Sequence, residues 1–215
     1  MKKITFIILM LVSAIAFSQN RVITTGVPFL LITSDARSAG MGEQGVATSP
    51  DAYSQNWNPS KYTFASNQSG LGISYTPYLS QLVNDIFLSN INYYAVTSER
   101  SAWAASLKYF SLGEIELGQT PADFINPLIE RPNEFVVDFS YALKLNESFS
   151  LAVTGAFVNS DLKIGSSFDD ASSASTVSFG VSGYYQSKQS SFESFEGKWR
   201  SGFYLSNLGP KLSYE

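Results

Sequence analysis

Apolar and small polar residues alternate along this chain in blocks of about ten positions. The clearest block runs from Glu134 to Leu143. Phe135, Val137, Phe139, Tyr141 and Leu143 fall on one side of an extended chain, and Glu134, Val136, Asp138, Ser140 and Ala142 on the other. A strand has period two, so one face is oily and the other mostly polar or small. The same alternation predicts strands over residues 69–76, 86–97, 101–112, 134–143, 149–159, 176–185 and 199–208. Segments of this length with an apolar outside and a polar inside predict an all-β fold, an antiparallel transmembrane β-barrel. A soluble sandwich alternates too. Here, however, the non-oily positions are Ser, Gly, Ala, Thr and Asn rather than Lys and Glu, which suits a lumen. Tyr75, Tyr109, Phe149, Tyr185 and Trp199 also stand at strand ends, as an interfacial girdle requires.

The connections sort into short and long. Ser98-Glu99-Arg100 and residues 144–148 read as tight turns. Residues 113–133, with Pro121, Pro127 and Pro132, and residues 160–175, with Asp161, Asp169 and Asp170, read as long loops. With the N-terminus in the periplasm, the tight turns fall inside and the long loops outside. The connection 186–198 is too long for a tidy periplasmic turn. Seven strands are an odd number, and an open edge in lipid leaves backbone groups unpaired at several kcal/mol each. Asn207-Leu208-Gly209-Pro210 is a loop signal, so the expectation is an incomplete barrel over 69–215 that continues beyond Glu215.

Residues 1–18 read as a signal peptide. Lys2 and Lys3 are basic, Ile4 to Phe17 is largely apolar, and Ala16 and Ser18 occupy −3 and −1 of a cut before Gln19. Residues 19–68 do not alternate and are expected to form a compact plug segment packed into or under the barrel. Pro28 to Ile32 fits one helical turn. Ser49-Pro50-Asp51 reads as a helix start, with Ser49 as N-cap, and the helix should stop near Asn58-Pro59.

Composition removes several function classes. The chain has no Cys, hence no disulfide, thiol chemistry or cysteine-linked lipid, and no His, hence no usual general base or commonest zinc ligand. Loss of Lys2 and Lys3 with a leader takes the formal charge from −4 to −6, the wrong sign for a nucleic-acid partner. No later apolar run is long enough for a helical span. Glu114 and Glu116 would share a strand face, but carboxylates at a loop mouth are commonplace. The Asp161, Asp169 and Asp170 spacing fits no calcium loop. Glycines 40 to 45 lack the Lys-Ser/Thr context of a phosphate loop. No enzyme activity, cofactor or metal is expected.

Gly26 to Ile32, Asp35-Ala36-Arg37, Ala39-Gly40-Met41-Gly42, Gly45 to Ala52, and Asn56-Trp57-Asn58-Pro59-Ser60-Lys61-Tyr62 together resemble the mature N-terminus of the PorV family, also called LptO. The likeness continues through Ser74 to Leu79, Val83 to Leu88, Asn92-Tyr93-Tyr94, Glu99 to Ala102, Gly113 to Leu117, and Asn207 to Lys211. The broader Ala-Gly-x-Gly and Asn-Pro pattern is similar to the FadL superfamily. The resemblance implies a FadL-like outer-membrane barrel of about fourteen strands in full, of which about seven are present here. It implies a component of the type IX secretion system of Bacteroidota. The implied partners are outer-membrane lipid, the translocon barrel, cargo with a type IX C-terminal signal domain, and a PorU-type sortase complex. In gliding species the cargo includes adhesins. Gly40, Gly42, Trp57, Asn58 and Pro59 carry the family pattern and are the candidate structural or partner-binding residues. The competing expectation is a FadL-like uptake channel for hydrophobic small molecules, which would need an apolar path along inward faces that read as mostly Ser, Gly, Ala and Asn.

Overall fold

The computed structural model describes residues 26–117, 128–162, 173–191 and 195–214. The expected signal peptide, Pro121, Pro127, Asp169 and Asp170 lie outside them. Eleven strands occur among the described residues: β1 Ser69–Pro77, β2 Ile86–Ser98, β3 Ser101–Leu112, β4 Ile115–Leu117, β5 Leu128–Glu130, β6 Asn133–Lys144, β7 Phe149–Asp161, β8 Ala174–Gln186, β9 Ser190–Ser191, β10 Glu196–Gly197 and β11 Arg200–Leu208. Seven of them make one sheet in the order β1-β2-β3-β6-β7-β8-β11, each antiparallel to its neighbours. These are the seven strands that alternation predicts, with ends shifted by two residues or fewer. The sheet is open among the described residues. β1 and β11 are its edges, and the strands present do not close a barrel.

Both tight turns form where expected. β2 stops at Ser98 and β3 starts at Ser101. Between β6 and β7, Asn146 Oδ1 accepts from Ser148 N and Phe149 N, so a side chain stands in for missing ladder partners. Two other connections hold strand pairs of their own. Residues 113–133 contain the β4–β5 ribbon, and 186–198 contain the small β9–β10 ribbon. The length of the second connection is thus taken up by strand pairing.

The segment before the sheet holds a 3-10 turn at Pro28–Leu31, a short helix α1 at Ala36–Gly40, a single turn α2 at Ser54–Trp57, and a 3-10 helix at Pro59–Phe64. The expected helix start at Ser49 and Pro50 is corrected. Asp51 Oδ1 instead accepts from Tyr53 N and Ser54 Oγ, and Ser54 Oγ accepts from Asp51 N. This Asx-type turn delays the helix to Ser54. Ser49 Oγ is meanwhile engaged by Arg37 Nη2 at 2.9 Å. The stop falls where predicted: Asn58 is extended (φ −171°, ψ 91°) ahead of Pro59.

The two faces of the sheet differ sharply. The face toward the N-terminal segment carries Asn90, Asn92, Ala102, Ala104, Ser140, Ala142, Ser150, Ala152 and Ser182, all buried. The opposite face carries Ile73, Phe139, Val153, Phe179 and Leu205, each more than half exposed. The oily side of the sheet is thus the uncovered one, the reverse of a water-soluble protein. Two small apolar clusters sit beneath the N-terminal segment. One joins Tyr62 and Tyr94 to Ala102, Ala104, Ala142 and Ala152, and the other joins Val27 and Phe29 to Leu88, Val136 and Val158.

Candidate functional site

The 3-10 helix Pro59–Phe64 lies across β2, β3, β6, β7 and β8. It fits because the strands beneath it present small side chains. Ala102, Ala142 and Ala152 are register partners on β3, β6 and β7 and form a low floor. On that floor Tyr62 stacks against Tyr94 with ring centroids 4.5 Å apart. Burial pushes the Tyr62 hydroxyl well above the usual phenol range, against the lowering effect of the hydrogen bond it receives from Gln55 N.

Polar contacts fix the segment's position. Fully buried Asn58 donates from Nδ2 to Val46 O (2.9 Å) and to Gly183 O (3.0 Å) on β8, while its Oδ1 accepts from Ser60 N (3.2 Å). Ser150 Oγ on β7 donates to Ser60 O at 2.7 Å, and Tyr184 OH on β8 donates to Thr48 O at 3.2 Å. Gln55 Nε2 reaches Ser140 Oγ (2.7 Å) and Asp138 Oδ1 on β6. Ser106 Oγ on β3 donates to the other oxygen of Asp138 at 2.6 Å. Half of these bonds are fully shielded from water, where a lost partner costs about 1–3 kcal/mol.

A second layer holds residues 45–51. Lys61 is fully buried, and its Nζ donates to Gly45 O (2.7 Å) and Thr48 Oγ1 (3.2 Å). Burial lowers its pKa to about 8, with Asp51 and Asp35 working in the opposite direction and Arg37 in the same one. Trp57 Nε1 donates to Asp35 Oδ2 at 2.7 Å, and Asp35 Oδ1 caps α1 by accepting from Ser38 N at 2.7 Å. One carboxylate thus ties two turns together. Arg37 pairs with Asp51 at 2.5 Å on the exposed side.

On the uncovered face, aromatic rings form contact chains. Tyr75, Phe87 and Tyr109 follow one another at 5.1 and 6.1 Å across β1, β2 and β3, and Tyr93, Trp103 and Phe139 at 5.4 and 5.9 Å across β2, β3 and β6. Phe149 and Tyr185 are register partners at the other strand ends.

The five sequence-derived candidates do not converge on one point. Trp57, Asn58 and Pro59 belong to the buried attachment just described. Gly42 follows α1 with φ +72°, a left-handed turn position that suits glycine, and the turn is closed by Glu43 N donating to Ser38 O at 2.8 Å. Gly40 is exposed with open space around it, and nothing in the structure explains a glycine there. Sequence reasoning missed Lys61, Gln55, Lys108 and Asp138 as a buried polar set. The available signal was the occurrence of Lys108 and Asp138 at inner-face positions, a face on which Ser, Ala and Asn predominate.

A family model described as type IX secretion system protein PorV matches residues 15–215. No curated protein matches the chain.

Proposed function

The chain belongs to the PorV family of type IX secretion system proteins, and from that premise we propose that it works in the outer membrane as a non-catalytic binding component. It receives cargo carrying the type IX C-terminal signal domain from the translocon barrel and delivers it to the PorU-type sortase complex. The oily face of the sheet meets lipid, and β1 to β11 form part of a FadL-like transmembrane wall. The observation that carries the membrane part of this reading is the inverted burial: Phe139 and Phe179 are 53% and 63% exposed, whereas Asn92 and Ser182 are at 0%. In water this would leave one whole face of the sheet apolar and uncovered, an arrangement that monomeric soluble proteins avoid. In a bilayer it is the stable arrangement. The surfaces offered to cargo and translocon are the connections over 113–133 and 160–175 and the apolar wall beside them.

Deleting the gene and following secreted proteins tests the reading. Cargo with the signal domain should accumulate inside the outer membrane, and a plasmid copy should restore its release. Normal secretion combined with failed uptake of an apolar compound would overturn the proposal in favour of a FadL-like channel. The covered face supports secretion over uptake, because Asn90, Asn92, Ser106 and Ser140 line it where an apolar solute would need a greasy path.

A further inference from the structure

We propose that the covered face of the sheet contains a blind vestibule for a small zwitterionic solute, with Gln55, Asn56, Lys108 and Asp138 as its floor. A cavity of about 80 Å³ lies between α2 and the inner sides of β3, β6, β7, β8 and β11. The groups around it are oddly short of partners. Gln55 is 2% exposed and spends its amide nitrogen on Ser140 and Asp138, while its Oε1 is buried with no donor. Asn56 Nδ2 is buried with no acceptor. Lys108 is 7% exposed, and its ammonium makes no hydrogen bond or ion pair among the described residues, although Asp138 and Asp35 act on it electrostatically. Each oxygen of Asp138 accepts one bond and has capacity for another.

An occupant of this cavity must therefore supply both an acceptor, for Lys108 and Asn56, and a donor, for Gln55 and Asp138. Lys108 and Asp138 are the only charged groups among the lining residues, and their charges cancel. A net ion would leave one charge uncompensated in a poorly solvated place, whereas a molecule with both an ammonium and a carboxylate would not. A single water needs about 10–15 Å³ of cavity space, so the cavity of about 80 Å³ holds a few waters or one solute of glycine size, and nothing as large as a lipid or peptide. A second cavity of about 420 Å³ shares Ser178 and Asn207 with the first and extends past Thr176 and Pro210. It provides the way in. That this entrance faces the cell exterior rests on the orientation proposed above, whereas the binding floor does not.

The purified protein in detergent is titrated calorimetrically with glycine, with glycolate and methylamine as half-molecules. Saturable glycine binding, at least tenfold tighter than either half-molecule, is expected. Lys108→Met and Asn56→Ala should each weaken it tenfold or more. Asn56→Ala serves as the gentler variant should Lys108→Met fail to fold. The chain has no cysteine, so Ser178→Cys places a single thiol at the junction, and glycine should slow its alkylation several-fold. Absence of saturable glycine binding, equal binding by half-molecules, or unchanged binding in folded Asn56→Ala would each overturn the vestibule and leave a hydrated cavity only. Labelling of Ser178→Cys on whole cells by a membrane-impermeant reagent supports the outward entrance. Labelling only after the periplasm is opened would overturn the orientation while leaving the purified protein's glycine binding intact.

Discussion

Lys61 has no solvent exposure and two acceptors within reach, Gly45 O and Thr48 Oγ1. A neutral amine has two N–H groups and an ammonium three, so the deprotonated form suits the place. Folding lowers the pKa of this lysine from 10.5 to about 8, chiefly through burial. The unfolded chain therefore holds the proton more tightly, and stability from this group rises as pH climbs from 8 toward 10.5. Tyr62 acts in the opposite sense. Its raised pKa costs stability once the unfolded phenol ionises above pH 10. Between pH 7 and pH 9.5, the wild-type protein in detergent should gain about 2 kcal/mol relative to Lys61→Met, read as the difference between their denaturation curves. Identical pH profiles would refute the assignment. Gly45 makes a separate prediction. A Cβ there would lie 2.1 Å from the Trp57 ring, so Gly45→Ala should destabilise the segment by about 1–3 kcal/mol. Accelerated proteolysis within residues 26–65 would report it, and Trp57→Ala in the same chain should remove most of the difference between Gly and Ala at 45.

At the level of single strands, the outer and inner positions of β6 should respond oppositely to charge. Phe139 lies mid-strand on the uncovered face, paired with Ala105 and Gly155. If this face meets hydrocarbon, Phe139→Arg should cost about 2–4 kcal/mol of folding free energy in lipid vesicles. In a soluble protein an arginine at a half-exposed site would cost little. The inner positions obey a size limit instead. Ala142 sits in the floor under Tyr62, so Ala142→Leu should push the 3-10 helix Pro59–Phe64 off the wall at about 1–3 kcal/mol, seen as loss of the Tyr62 and Tyr94 near-ultraviolet dichroism. The sequence suggested that Ser, Ala and Gly on this face suited a water-filled lumen. Their burial gives a second reason for small residues: a folded segment has to lie on them.

Across the whole molecule, a polar N-terminal segment and an oily outer wall are joined through one sheet. The sheet's strands and turns were readable because each depends on neighbours close in sequence. Period-two alternation from Phe135 to Leu143 fixes which side chains share a face, and Asn146 closes its turn within three residues. The helix start was misplaced because Asp51 closes a turn onto Tyr53 and Ser54, and Arg37, in a separate turn twelve and fourteen positions away, holds Ser49 and Asp51 in that arrangement. The buried polar set was unreadable for the same reason on a larger scale, since Gln55 meets Ser140 across 85 residues. A protein of this design should partition wholly with the outer membrane on cell fractionation and resist extraction by high salt or carbonate. Recovery as a soluble monomer without detergent would contradict the lipid-facing reading of the wall.

Local alternation determined the strands, their order along the chain and the chemistry of each face, because side-chain direction in an extended backbone follows from position parity alone. Only the tertiary structure decided that the small residues support a docked segment, that Lys61 and Lys108 are buried, and that Trp57 and Asp35 bind two turns together. Those outcomes depend on which surfaces meet across the fold, and residue order does not encode that in any short window.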